Sequence, residues 1–170
     1  MKKLLILAFS TAIFTACKKD ETTTPTTPNN NGNNTNTCKE GNICFTMDGA
    51  DISKSGSGYV FADTFIFVKY EEGAKQLSID IFGQKTGSYT VTDIRKMNNA
   101  RIYYFKENND MYMAEKGNLS ISDFSTDFKL TGSFSATLYK YNNDKSTFDK
   151  SDSVTITNGS FSKVQLFEQK

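Results

Sequence analysis

The 170-residue chain has no histidine and no tryptophan, and only two prolines and three cysteines. Without imidazole, every catalytic scheme built on it is excluded, and the usual zinc and copper ligands go with it. Without indole, the best aromatic surface for stacking on sugar rings is missing. Net charge is also small, with 20 basic against 19 acidic residues and two of the lysines in the first three positions. That balance gives no basic patch, so nucleic acid is not expected as a partner. Nor does any apolar run reach the ~20 residues that cross a bilayer as a helix.

The first sixteen residues carry a different hydrophobic signal. Lys2 and Lys3 precede Leu4-Leu5-Ile6-Leu7-Ala8-Phe9, the apolar run continues through Ala12-Ile13-Phe14, and small Thr15 and Ala16 follow. This is the layout of an export signal peptide. Phe14-Thr15-Ala16-Cys17 resembles a bacterial lipobox, which implies cleavage before Cys17 and lipidation of its thiol. Acyl chains at about 0.8 kcal/mol per buried CH₂ would then hold the chain to a membrane. The adjoining Lys18-Lys19-Asp20-Glu21 resembles the export signal of Bacteroidetes surface lipoproteins. The expected location is the outer membrane, lipid-anchored and facing the cell exterior.

Residues 22–37 are almost wholly Thr, Asn and Pro. They contain no apolar side chain that could offset the entropy of ordering, so 17–37 reads as a lipidated cysteine followed by a disordered tether. Pro25 and Pro28 stiffen its first half toward an extended path. The remaining residues, 38–170, are enough for one domain with a real core. At its start stand Cys38 and Cys44. Outside the cytoplasm such a pair reads first as a disulfide, the alternative being a buried Cys44 beside a free Cys38.

From Ile43 onward aromatic and β-branched residues alternate with polar ones, and a helical period is nowhere sustained. Asp48-Gly49 marks an early turn. Thr64 to Tyr70, apolar at successive positions, reads as a strand covered on both faces. Arg101–Phe105 and Met111–Ala114 flank a four-residue hairpin loop. Asp93 to Asn99 could hold one helical turn, and Tyr141 to Ser151 reads as a long polar loop. Asn158-Gly159, set between Val154-x-Ile156 and Phe161, reads as a hairpin turn. The pattern predicts an all-β fold, a single antiparallel β-sandwich or flattened β-barrel of about nine or ten strands. Parallel pairing is not expected, because no crossover helix is in sight.

Phe45-Thr46-Met47-Asp48-Gly49, Leu130-Thr131-Gly132-Ser133-Phe134-Ser135 and Ile156-Thr157-Asn158-Gly159-Ser160-Phe161 together resemble a group of small Bacteroidetes lipoproteins with a β-rich domain of unknown function. The resemblance implies a lipobox, a polar tether and a compact antiparallel domain. It implies no catalytic residues.

Candidate chemistry is sparse. The aspartate pairs 48/51, 123/127 and 149/152 lie in turns, where local hydrogen bonding explains them better than paired-carboxylate hydrolysis does. The oxygen-rich stretch from Asn142 to Asp149 lacks the glycine and closing glutamate of a calcium loop. No catalytic set, metal site or cofactor is therefore expected. Tyr103, Tyr104 and Tyr112 concentrate aromatics on one hairpin. Exposed, they would make a stacking platform for a sugar or peptide; otherwise they are ordinary strand aromatics. The expected function is a non-enzymatic binding or interaction module with a glycan, peptide or envelope protein as partner. The alternatives are a hydrolase or hydrolase accessory subunit using loop carboxylates, or a structural envelope protein.

Overall fold

In the computed structural model, residues 37–61, 64–107 and 110–169 are described. The leader, Cys17 and the tether up to residue 36 lie outside them. The described residues form ten strands: β1 (Asn42–Met47), β2 (Ala50–Ser55), β3 (Ser57–Phe61), β4 (Phe65–Glu72), β5 (Lys75–Phe82), β6 (Gly87–Val91), β7 (Asn99–Phe105), β8 (Met111–Phe124), β9 (Lys129–Asn142) and β10 (Thr147–Gln169). Strands form because one side of nearly every segment is apolar with a period of two. Ile66, Val68 and Tyr70 of β4 face Leu77, Ile79 and Ile81 of β5 and Ala100, Ile102 and Tyr104 of β7 in one buried cluster.

All ten strands belong to one sheet, in the order β2-β1-β10-β3-β4-β5-β7-β6-β8-β9. The last strand, β9, also pairs with β10 from Gln165↔Lys129 to Thr147↔Asn142. The sheet thus closes on itself as a flattened barrel, with β1 paired to β10 and placing Ile43 and Phe45 in the core, and β2 paired to β1. Closure leaves little free edge to template association.

Most pairings are antiparallel, yet two are parallel: β10 with β3 at Leu166↔Gly58, and β6 with β7 at Thr90↔Asn99. Neither uses a crossover helix. The chain returns between β3 and β10 through six intervening strands, and between β6 and β7 through the loop 92–98. That loop consists of bends and a turn rather than the expected helical turn.

Strand β10 is 23 residues long, and it corrects two sequence expectations. Tyr141 to Ser151 is not a long loop: only residues 143–146 turn, and Thr147 already pairs with Asn142. Asn158-Gly159 is not a hairpin. Asn158 takes φ 52°, but the register slips between Ile156 and Gly159 and the strand runs on. The pair is a β-bulge, and a second one follows at Lys163, φ 47°. An extra residue in the left-handed region bends the strand and increases its twist, which lets one long strand follow the barrel wall. By contrast Asp48-Gly49 is a true hairpin turn, with φ 49° and 84° joining β1 to β2.

Cys38 and Cys44 are joined by a disulfide with Cα atoms 5.7 Å apart. It staples the start of the domain to β1. Glu40 reaches across to Lys163 at 3.4 Å and Lys129 at 3.5 Å.

Candidate functional site

The tyrosines expected to form a platform do not form one. Successive residues of a strand point to opposite faces, so Tyr104 and Tyr103 part company. Tyr104 and its cross-strand partner Tyr112 enter the barrel core, each 2 % exposed. The Tyr112 hydroxyl emerges far enough to donate to both carboxylate oxygens of Asp152, at 3.0 Å. Burial, then that bond, push its pKa up to about 12. Tyr103 is on the outer face, but Arg101 lies over its ring at 4.6 Å and its hydroxyl donates to Asp80 at 3.2 Å. Only 8 % of it is exposed. The aromatic-rich hairpin is core and buttress.

The exposed aromatic surface lies one sheet region away, on the outer faces of β10, β3, β4 and β5. Two rows of cross-strand partners build it. In the first, Phe167 pairs with Tyr59 and Tyr59 with Phe67, at ring separations of 6.2 and 6.5 Å. In the second, Phe61 pairs with Phe65 and Phe65 with Phe82, at 5.4 and 5.3 Å. Tyr59 and Phe61, 6.3 Å apart, join the rows. Phe167 is 54 % exposed and Phe61 37 %, while the other four rings are half-buried edge to edge. Strand β4 therefore has one covered face and one open aromatic face.

The first row runs straight into charge. Phe67 is opposite Asp80, and Asp80 is opposite Arg101. Asp80 is 9 % exposed, and burial raises its carboxyl above the usual range while Arg101 and then Arg95 pull it back. Arg101 is weakened as a cation by the same burial, against the pull of Asp80. Among the described residues, the Arg101 Nε is a buried donor with no hydrogen-bond partner.

Sequence alternation held a signal for this face. Tyr59-x-Phe61 and Phe65-x-Phe67 put rings on the side opposite Val60, Ile66 and Val68, and Lys69 continues the ring side into solvent. A stretch apolar on both sides reads as doubly covered only when nothing polar shares its second face.

A second surface feature is a shallow groove of about 480 Å³ over β8, β9 and β10, lined by Lys116, Asn118, Thr137 and Thr155 among others. It offers hydroxyls and one ammonium but no carboxylate, which is poor equipment for hydrolysis. The turn aspartates are spent locally. Asp48 accepts from the Thr155 N–H at 3.0 Å, Asp149 from the Ser151 N–H and hydroxyl at 3.0 and 2.6 Å, and Asp127 pairs with Lys129 at 3.3 Å. Among the described residues no cluster of acidic or cysteine side chains could hold a metal ion, and no helix is long and apolar enough to cross a membrane.

No protein-family model matches the chain, and neither the curated proteins nor the solved structures hold a match to it.

Proposed function

We propose that this chain is a non-enzymatic binding module, held at a bacterial outer surface through an acylated Cys17, that takes a glycan on the outer aromatic face of its barrel. The supporting observation is the row Phe167–Tyr59–Phe67–Asp80–Arg101, which sets stacking rings beside a carboxylate and a guanidinium on one wall. Sugar rings present axial C–H groups to aromatic faces and hydroxyls to charged partners, so the two halves of the row suit one ligand. Lipid attachment rests on the Phe14-Thr15-Ala16-Cys17 sequence, and surface location on the adjoining Lys18-Lys19-Asp20-Glu21.

Residues 37–170, which contain the complete strand ring and its core, are the material for the test. Isothermal titration against soluble oligosaccharides of bacterial capsule and host mucin types should find a ligand. Tyr59→Ala or Arg101→Ala should weaken it at least tenfold, equal to ~1.4 kcal/mol. Absence of binding across both sets, or binding indifferent to both substitutions, would remove the glycan reading.

A further inference from the structure

The barrel has two dissimilar ends. At one end lie Thr64 and the connections 83–86, 92–98 and 125–128, together with the last residues of β10, because β3, β5, β8 and β10 finish there and β4, β7 and β9 begin there. Every exposed large hydrophobic residue among those described sits at this end. They are Phe61, Ile94, Met97, Phe128 and Phe167, from 37 % to 60 % exposed. Backbone bonds hold the contributing segments together: Asn98 donates to the Phe82 carbonyl and Leu166 to that of Phe128, both at 2.8 Å. The opposite end turns on Asp48-Gly49, Glu71-Glu72-Gly73, Lys106-Glu107 and residues 142–146, with no exposed large apolar side chain among the described residues.

Charge completes the asymmetry. Ile94 and Met97 bracket Arg95 and Lys96 in the loop 92–98, and Lys85 is on the neighbouring connection. None of these three cations takes part in an ion pair among the described residues. At the same end Asp127 pairs with Lys129, and among the described residues Asp93, Asp123 and Glu168 are its acids outside any ion pair, none of them beside Ile94 and Met97 except Asp93. Ile94 and Met97 come from one loop and Phe128 from another turn, while Phe61 and Phe167 project from the strand ends beside them, so they do not make a slot for a peptide or helix. They suit a planar partner that accepts apolar side chains to a shallow depth and cations around them.

We propose that this end of the barrel docks onto a lipid bilayer surface bearing anionic headgroups, with Ile94 and Met97 entering the interface and Lys85, Arg95 and Lys96 meeting the phosphates. The inference is separate from the glycan reading, since Ile94, Met97 and the three cations lie outside the ring rows. Docking this end would hold the aromatic wall upright beside the membrane, open to a ligand from the side.

The test is co-sedimentation of residues 37–170, free of the leader and Cys17, with vesicles of phosphatidylcholine alone or mixed with phosphatidylglycerol. The mixed vesicles should bind the domain, and binding should weaken as salt is raised. Ile94→Ser with Met97→Ser should reduce partitioning roughly tenfold or more while leaving the melting temperature unchanged, since both side chains are exposed. Arg95→Gln with Lys96→Gln should erase the preference for phosphatidylglycerol, and Tyr59→Ala should change nothing. No binding to mixed vesicles at low salt, or binding equal in the Ile94/Met97 variant, overturns the proposal. So does light scattering that shows a dimer dissolved by that variant, which would give this end to a second copy of the chain.

Discussion

Phe134 of β9 lies directly over Gly159 of β10, its cross-strand partner, so that a Cβ on residue 159 would fall 2.7 Å from the ring. Two residues along, the roles reverse: Phe161 is opposite Gly132, and its ring would be 2.6 Å from a Cβ there. The two rings stack at 6.1 Å and 17°. Each glycine leaves the space that the other strand's phenylalanine fills, and the reciprocal fit locks the seam that closes the barrel.

Gly159→Ala should therefore cost about 2–4 kcal/mol, more than a usual overpacking change, because the new methyl also meets the Phe134 carbonyl. Phe134→Ala should cost about 3–5 kcal/mol. Since the two residues share one space, the double variant should lose less than the sum. Urea unfolding of the three variants measures this, and strict additivity would mean the ring and the glycine do not depend on each other.

Alkaline stability should report the buried tyrosines. Tyr112 and Tyr70 are each pushed from an ordinary 10.0 to about 12, by burial first in both cases. Between those values the unfolded chain has released the protons while the folded chain keeps them. The stabilisation is complete below pH 10 and is lost as pH rises toward 12. Thermal melts should show a falling midpoint across that window. Tyr112→Phe should make the fall shallower, and at neutral pH it should cost about 1 kcal/mol for the bond to Asp152. An unchanged slope would show that Tyr112 titrates alike in both states.

The Cys38–Cys44 bond closes a loop with a separation of six residues. In the chain-entropy account a loop this short is worth about 2 kcal/mol. Replacing both cysteines with serine should lower stability by about that amount, since the pairing of β1 with β10 and β2 and the burial of Ile43 and Phe45 remain to hold the strand. Calorimetry with and without reductant tests it. A loss beyond about 4 kcal/mol would show that the staple organises β1 and through it the whole seam.

Much of this fold was legible from alternation alone, because a period of two is a direct imprint of which side faces the core. The all-β class, the Asp48-Gly49 turn and the hairpin from Arg101 to Ala114 all follow from it. What alternation cannot encode is which outward face stays open. Tyr103 is hidden by the Arg101 side chain, which folds over its ring from two residues earlier on β7, and the open face of Phe61, Phe65 and Phe67 depends on β10 reaching β3 in parallel from over a hundred residues away. Nor can local sequence separate a turn from a bulge, because both ask for the same left-handed residue.

Asn158 offers the sharpest check of that last point. Its φ of 52° is open to asparagine and glycine at little cost, but a β-branched side chain there meets its own backbone. Asn158→Gly should be nearly neutral, and Asn158→Val should lose about 1–2 kcal/mol. A hairpin turn and a bulge differ in what an inserted residue does. One glycine added after Asn158 would merely lengthen a hairpin loop at small entropic cost. In a bulge it slips the register by one residue and turns Phe161, Val164 and Leu166, all at most 1 % exposed, out of the core from the seam onward. We expect the insertion to abolish cooperative unfolding while Asn158→Gly keeps it, a contrast that amide exchange along β10 would resolve residue by residue.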